Sequence, residues 1–117
     1  MIKKIGNMPS QMKENLRGGS GKALAVDYLA PQEMAGVLAA SRITLEPGAS
    51  VGEHPHPNTE ELYLVLEGSG TGYLDGEAFG VGPGDAWICK AGHTHGLKNG
   101  SAGPLAFFAI ITPWEEP

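Results

Sequence analysis

The chain of 117 residues predicts an all-β domain, a sandwich or barrel of about nine short strands, on three observations. Eighteen glycines and nine prolines fall between short apolar runs, the punctuation of a fold with many tight turns. The segment Glu61–Glu67, read Glu-Leu-Tyr-Leu-Val-Leu-Glu, is rich in aromatic and branched residues and stops at Gly68, as a strand does. Asp75-Gly76 sits between Gly70–Leu74 and Glu77–Val81, the signature of a two-residue hairpin turn.

Taken in order, residues 1–22 form an N-terminal arm. Within it Ser10 to Arg17 has the composition for about two turns of helix, with Ser10 as N-cap and Gly18-Gly19 as the stop. An irregular arm that packs on a partner subunit fits equally well. Gly18-Gly19-Ser20-Gly21-Lys22 is not a phosphate loop, because Ala23 follows the lysine and the first glycine of that motif falls on Leu16. From Ala23 to Pro117 the chain reads as one barrel domain. Ala23–Tyr28 and Gly36–Leu45 are its first strands, separated by a loop that carries Pro31. Glu46-Pro47-Gly48 turns into an extended histidine segment, and Glu61–Glu67 follows. After the Asp75-Gly76 hairpin, Gly82-Pro83-Gly84 turns into Asp85–Lys90. Ala91-Gly92 then leads to His95–Asn99, and Leu105–Thr112 is last. The phase of that strand is open, since Phe107 and Phe108 are adjacent and only one can face inward.

Composition excludes several classes. A net charge of −5 with scattered lysines and arginines gives no electrostatic footprint for nucleic acid. No run approaches the roughly 20 apolar residues of a membrane span, and no signal-peptide core precedes Gly18. One cysteine, Cys89, cannot build an intrachain disulfide. A cytoplasmic protein is the expectation.

All four histidines lie in two pairs, His54/His56 and His93/His95. Imidazole and carboxylate are ligands of divalent transition metals. In an extended segment His54 and His56 share a face, and Pro55 and Pro57 keep that segment extended. A lone His-x-His pair is also common on surface loops, so the reading needs more than this pair. Glu61 opens the strongest strand on the same face as Tyr63 and Val65, and His95 begins a later strand that could supply a fourth ligand.

The framing residues carry a resemblance. Gly48, five residues, His54, one residue, His56, four residues, Glu61, six residues and Gly68 resemble the first motif of the cupin superfamily. Gly84, six residues later Ala91-Gly92, then His95 and Asn99 resemble the second. The 15 intervening residues, 69–83, suit a small single-domain cupin. One position departs: Lys90 stands where that family usually has proline, which is not a ligand position. The resemblance implies a jelly-roll β-barrel, usually dimeric, with one divalent metal ion inside. The ligands it implies are His54, His56, Glu61 and His95, and the ion Mn, Fe, Ni, Co or Zn. Such a donor set leaves positions open for water or substrate, unlike a closed, sulfur-rich structural site.

Other residues are weighed against plainer roles. Tyr63 shares the inward face with Glu61 and is either a catalytic acid or orienting group, or a core aromatic. Trp87 and Leu97 are expected to line the barrel. His93 falls in the turn ahead of the ligand, a solvated or outer-shell position. Cys89 reads as a buried, inert thiol. Lys90, Arg42 and Lys98 are candidate anion contacts whose default is exposure. Leu62, Leu64 and Leu66 lie opposite the Glu61 face, an apolar row that a homodimer would cover.

Two functions follow. One is a small metalloenzyme, dioxygenase-like or isomerase-like, acting on a small oxygenated organic molecule. The other is a non-catalytic sugar- or small-acid-binding module. Fold alone does not choose between them.

Overall fold

The computed structural model describes residues 1–115, with ten strands that pair antiparallel in two sheets. They are β1 (Ser10–Glu14), β2 (Lys22–Asp27), β3 (Ala39–Leu45), β4 (Ser50–Pro55), β5 (Thr59–Glu67), β6 (Gly70–Leu74), β7 (Glu77–Val81), β8 (Ala86–Cys89), β9 (Thr94–Lys98) and β10 (Leu105–Pro113). The larger sheet runs β1-β2-β3-β10-β5-β8 and the smaller β4-β9-β6-β7. The helical content of the described residues is two three-residue 3-10 turns, Ile5–Asn7 and Leu16–Gly18.

Nine of these strands answer to the nine expected from sequence, and β1 is the addition. The expected helix over Ser10–Arg17 is corrected here. Ser10–Glu14 pairs along Lys22–Val26 of its own chain as the outermost strand of the larger sheet. Gln, Met, Lys and Glu are good helix formers, but so short an exposed helix has no stability of its own. Pairing with β2 supplies the hydrogen bonds instead.

Alternation along β5 explains the two layers. Glu61, Tyr63 and Val65 are buried between the sheets, while Leu62 and Leu64 are half-buried and Leu66 exposed on the outer side. Trp87 and Leu97 join Tyr63, Val65, Leu45 and Phe107 in one core. A bulge between Ala106 and Phe107 in the β10–β5 ladder buries both residues. Phe108 then turns to the outer face, edge-on to Tyr28 at 5.1 Å. Burial of a side chain such as Phe107 contributes about 1.5–3 kcal/mol. The Asp75-Gly76 turn has φ of 51° and 80°, positive at both central residues as its hairpin type requires. Asn99 is fully buried. Its amide donates to the carbonyls of Leu45 (3.0 Å) and Gly103 (2.9 Å), and its oxygen accepts from Ser101. It thereby closes the turn between β9 and β10.

Candidate metal centre

Three local features aim the predicted ligands inward. His54 of β4 stands opposite His95 of β9 in the ladder, just past an irregularity between Val51 and His54. His56 lies one residue beyond β4, but its backbone is still tied to the turn before β9. Its N–H donates to the His93 carbonyl (3.1 Å), and its carbonyl accepts from the Gly92 N–H (2.8 Å). Glu61 arrives from the other sheet, on β5, flanked by Cys89 of β8 and Ile111 of β10.

The structure brings all four together. His56 Nε2 is 3.0 Å from His95 Nε2, and His95 Nε2 is 3.1 Å from His54 Nε2. Glu61 Oε1 lies 2.9 Å from His95 Nε2, 3.0 Å from His56 Nε2 and 3.9 Å from His54 Nε2. None of the four residues is more than 7% exposed.

The hydrogen bonds behind the rings decide what those nitrogens are. His54 Nδ1 is 2.6 Å from the Gly52 carbonyl, which can only accept, so the proton sits on Nδ1. In the neutral ring Nε2 is then a bare lone pair. His56 Nδ1 shares a hydrogen bond with Thr59 Oγ1 at 2.7 Å. His95 Nδ1 is buried and has no hydrogen-bond partner among the described residues; the ring is held by stacking on Tyr63, with centroids 4.3 Å apart and planes 24° apart. Facing lone pairs repel one another, and a buried carboxylate is costly without compensation. A shared cation resolves both. Ligand atoms about 2.1 Å from one ion stand about 3.0–3.4 Å from their neighbours; four of the separations here, at 2.9–3.1 Å, lie near the short end of that range, and His54 Nε2 to Glu61 Oε1 is wider at 3.9 Å. The cluster fits a divalent metal site.

The electrostatics point the same way. Burial would raise the Glu61 carboxyl, but contacts from His54 and His95 outweigh it and hold the group at about 2. Burial lowers His56 against the opposing pull of Glu61, favouring the neutral ring that a metal requires. The Tyr63 phenol is pushed well above its ordinary value, by burial first and then by the Glu61 charge.

A cavity of about 210 Å³ opens onto the cluster and is lined by His54, His56, Glu61 and Tyr63, with Val51, Ile43, Ile111 and Leu16 as apolar wall. Lys13 and Arg17 complete the lining, and neither was marked by any sequence motif. The anion candidates the sequence suggested are elsewhere: Arg42 faces Glu67 at 3.8 Å, and neither Lys90 nor Lys98 lines this cavity. His93 is exposed and pairs with Asp75 at 2.6 Å, outside the cluster. Cys89 is fully buried, and burial pushes its thiol up to about 11.

A family profile described as the cupin domain matches residues 41–111. The chain belongs to the cupin family. This cupin is 29% identical to a curated "Oxalate-binding protein" of Thermotoga maritima, over 95% of this chain and 93% of that one. It superimposes on a crystal structure from Thermotoga maritima described as a predicted oxalate decarboxylase. That match has a TM-score of 0.93 and 28% identity, covering 97% of this cupin and 100% of that chain. A sugar phosphate isomerase from Silicibacter pomeroyi shares the fold, with TM-score 0.78 and 19% identity over 93% and 73% of the two chains. No helix among the described residues is long and apolar enough to cross a membrane.

Proposed function

We propose that this cupin is a metal-dependent binding protein for a small carboxylic acid anion of the oxalate class. The observation that carries the reading is the meeting of three imidazoles and one carboxylate at one centre, with His54, His56 and Glu61 in the wall of a small cavity. The resemblance over nearly its full length to a protein named for oxalate binding supports the choice of ligand. His54, His56, Glu61 and His95 are the residues that would hold the ion, one of Mn, Fe, Co, Ni or Zn. When bound, the ion supplies positive charge and open positions for the ligand's oxygens.

The chain's own groups do the rest. The Gly52 carbonyl orients His54, Thr59 engages His56, and the Tyr63 ring braces His95. Tyr63 keeps its proton, so its hydroxyl serves as a hydrogen-bond donor rather than a base. Glu61 is committed to the imidazoles around it. Neither group is a free base for turnover, which ranks binding above the dioxygenase-like or isomerase-like enzyme. The Thermotoga maritima structure described as a predicted oxalate decarboxylase favours the enzymatic reading.

The test is elemental analysis of chelator-free protein, followed by calorimetric titration of oxalate into metal-loaded and metal-free samples. Saturable binding that needs the metal and leaves oxalate intact is the expected result. Consumption of oxalate would convert the reading to an enzyme. No binding by the loaded protein would reject it.

A homodimer is part of the same proposal. Leu62 and Leu64, with Ile88, Phe108 and Ile110 from the neighbouring strands, share the outer face of the larger sheet. Ile88 is 51% exposed and Leu66 42%. A second copy would cover this row, and sedimentation at micromolar concentration should give twice the 12.2 kDa monomer mass.

A further inference from the structure

Two cations reach the metal cavity from the N-terminal arm: Lys13 of β1 and Arg17 in the turn that follows it. The chain has a net charge of −5. Yet among the described residues neither Lys13 nor Arg17 pairs with a carboxylate, whereas Lys3, Lys22 and Arg42 do.

Arg17 is held at this mouth by its backbone. Its φ and ψ are 51° and 39°, and Asn15 before it is at 53° and 48°. Residues with a β-carbon rarely adopt this left-handed conformation, and it persists only where the surroundings over-determine it. Those surroundings are visible. A β-carbon at Gly52 would collide with the Arg17 carbonyl, and one at Gly19 with the Ser50 carbonyl. The Ser50 N–H donates to the Ser20 carbonyl (2.8 Å), and the Ser20 N–H donates to Ser50 Oγ (3.0 Å). The Gly19 N–H closes the turn on Leu16 (2.8 Å). The arm is thereby fastened to β4 at Ser50 and Gly52, four and two residues before the first predicted ligand, with Arg17 lining the cavity.

We propose that Arg17, with Lys13 beside it, determines which anion the site takes. Its guanidinium receives the distal carboxylate of a short dicarboxylate whose other carboxylate lies at the His54–His56–Glu61–His95 centre. This rests on the metal-dependent reading above. A planar guanidinium matches a carboxylate with two parallel hydrogen bonds, which an ammonium cannot do. Arg17 and Tyr63 line the same cavity as His54, His56 and Glu61. The cavity of about 210 Å³ restricts the ligand to a short acid.

The experiment titrates the full chain, loaded with Mn(II), with oxalate and separately with acetate. Arg17→Gln should lower oxalate affinity by about tenfold or more and leave acetate and Mn(II) affinities unchanged. Arg17→Lys should recover only part of the loss. Arg17→Asn keeps a residue that tolerates the left-handed conformation, so it should lose the same selectivity with a Tm no lower than wild type. Wild-type oxalate affinity in Arg17→Gln and Arg17→Asn would overturn the inference while leaving metal-dependent oxalate binding standing. Equal weakening of oxalate and acetate would assign Arg17 a structural role and also overturn it. If the wild-type protein takes up Mn(II) but binds no oxalate, the underlying reading fails and the inference with it.

Discussion

His54, His56, Glu61 and His95 are at most 7% exposed, and each approaches another of the four within about 3 Å. Lys13 and Arg17 reach the same cavity from an arm whose residues otherwise face solvent almost throughout. In the first region function depends on which side chain stands at each position, since only imidazole and carboxylate supply the donors. In the second it depends on where the backbone is pinned, and the pins are glycines and serines distant in sequence. Side-chain chemistry leaves a local spacing to read; backbone placement leaves almost none.

Three substitutions test that contrast. The largest effect is expected from His95→Ala, which removes a ligand while leaving the strand pairing of β9 intact. Metal affinity should fall by more than about 100-fold, beyond the 10–100-fold typical of losing an outer-shell partner, with the barrel still folded by circular dichroism. Metal retained at wild-type affinity would show that the four residues do not act as one centre.

Gly52→Ala strikes where the two regions meet. Its β-carbon would drive into the Arg17 carbonyl and the Gly19 N–H, and overpacking of this kind costs about 1–3 kcal/mol. Thermal melting should drop by several degrees, since about 1 kcal/mol is roughly 4–8 °C for a domain near this size. An unchanged Tm would mean the arm is not anchored there. Thr59→Val is expected to do least. It removes the partner of His56 Nδ1 and should weaken metal binding about tenfold, read by competition with a chelating dye.

The strands and the ligand set were largely legible in sequence for the reason this comparison gives. Glu61–Glu67 alternates between core and surface, so its period of two is visible, and the hairpin at Asp75-Gly76 is marked by residues that accept positive φ. β1 was not legible. Of Ser10–Glu14 only Lys13 is even half-buried, so the strand has no apolar alternation, and its residues favour a helix by propensity. Phe107 and Phe108 were ambiguous because a bulge shifts the register beside them, and a bulge leaves no mark on a hydrophobic pattern. Arg17 was missed because its position depends on Gly52 and Ser50, more than thirty residues further along.

The ligand set spans the two layers of the molecule. His54 and His95 belong to the four-stranded sheet and Glu61 to the six-stranded one. A cation gripping all of them would act as a rivet through the sandwich, in a chain whose single cysteine can supply no internal disulfide. At 100 times its dissociation constant, such an ion stabilises the folded state by about 2.7 kcal/mol. A chelator would then loosen the sheets as well as empty the cavity, so melting temperature would serve as a gauge of metal occupancy.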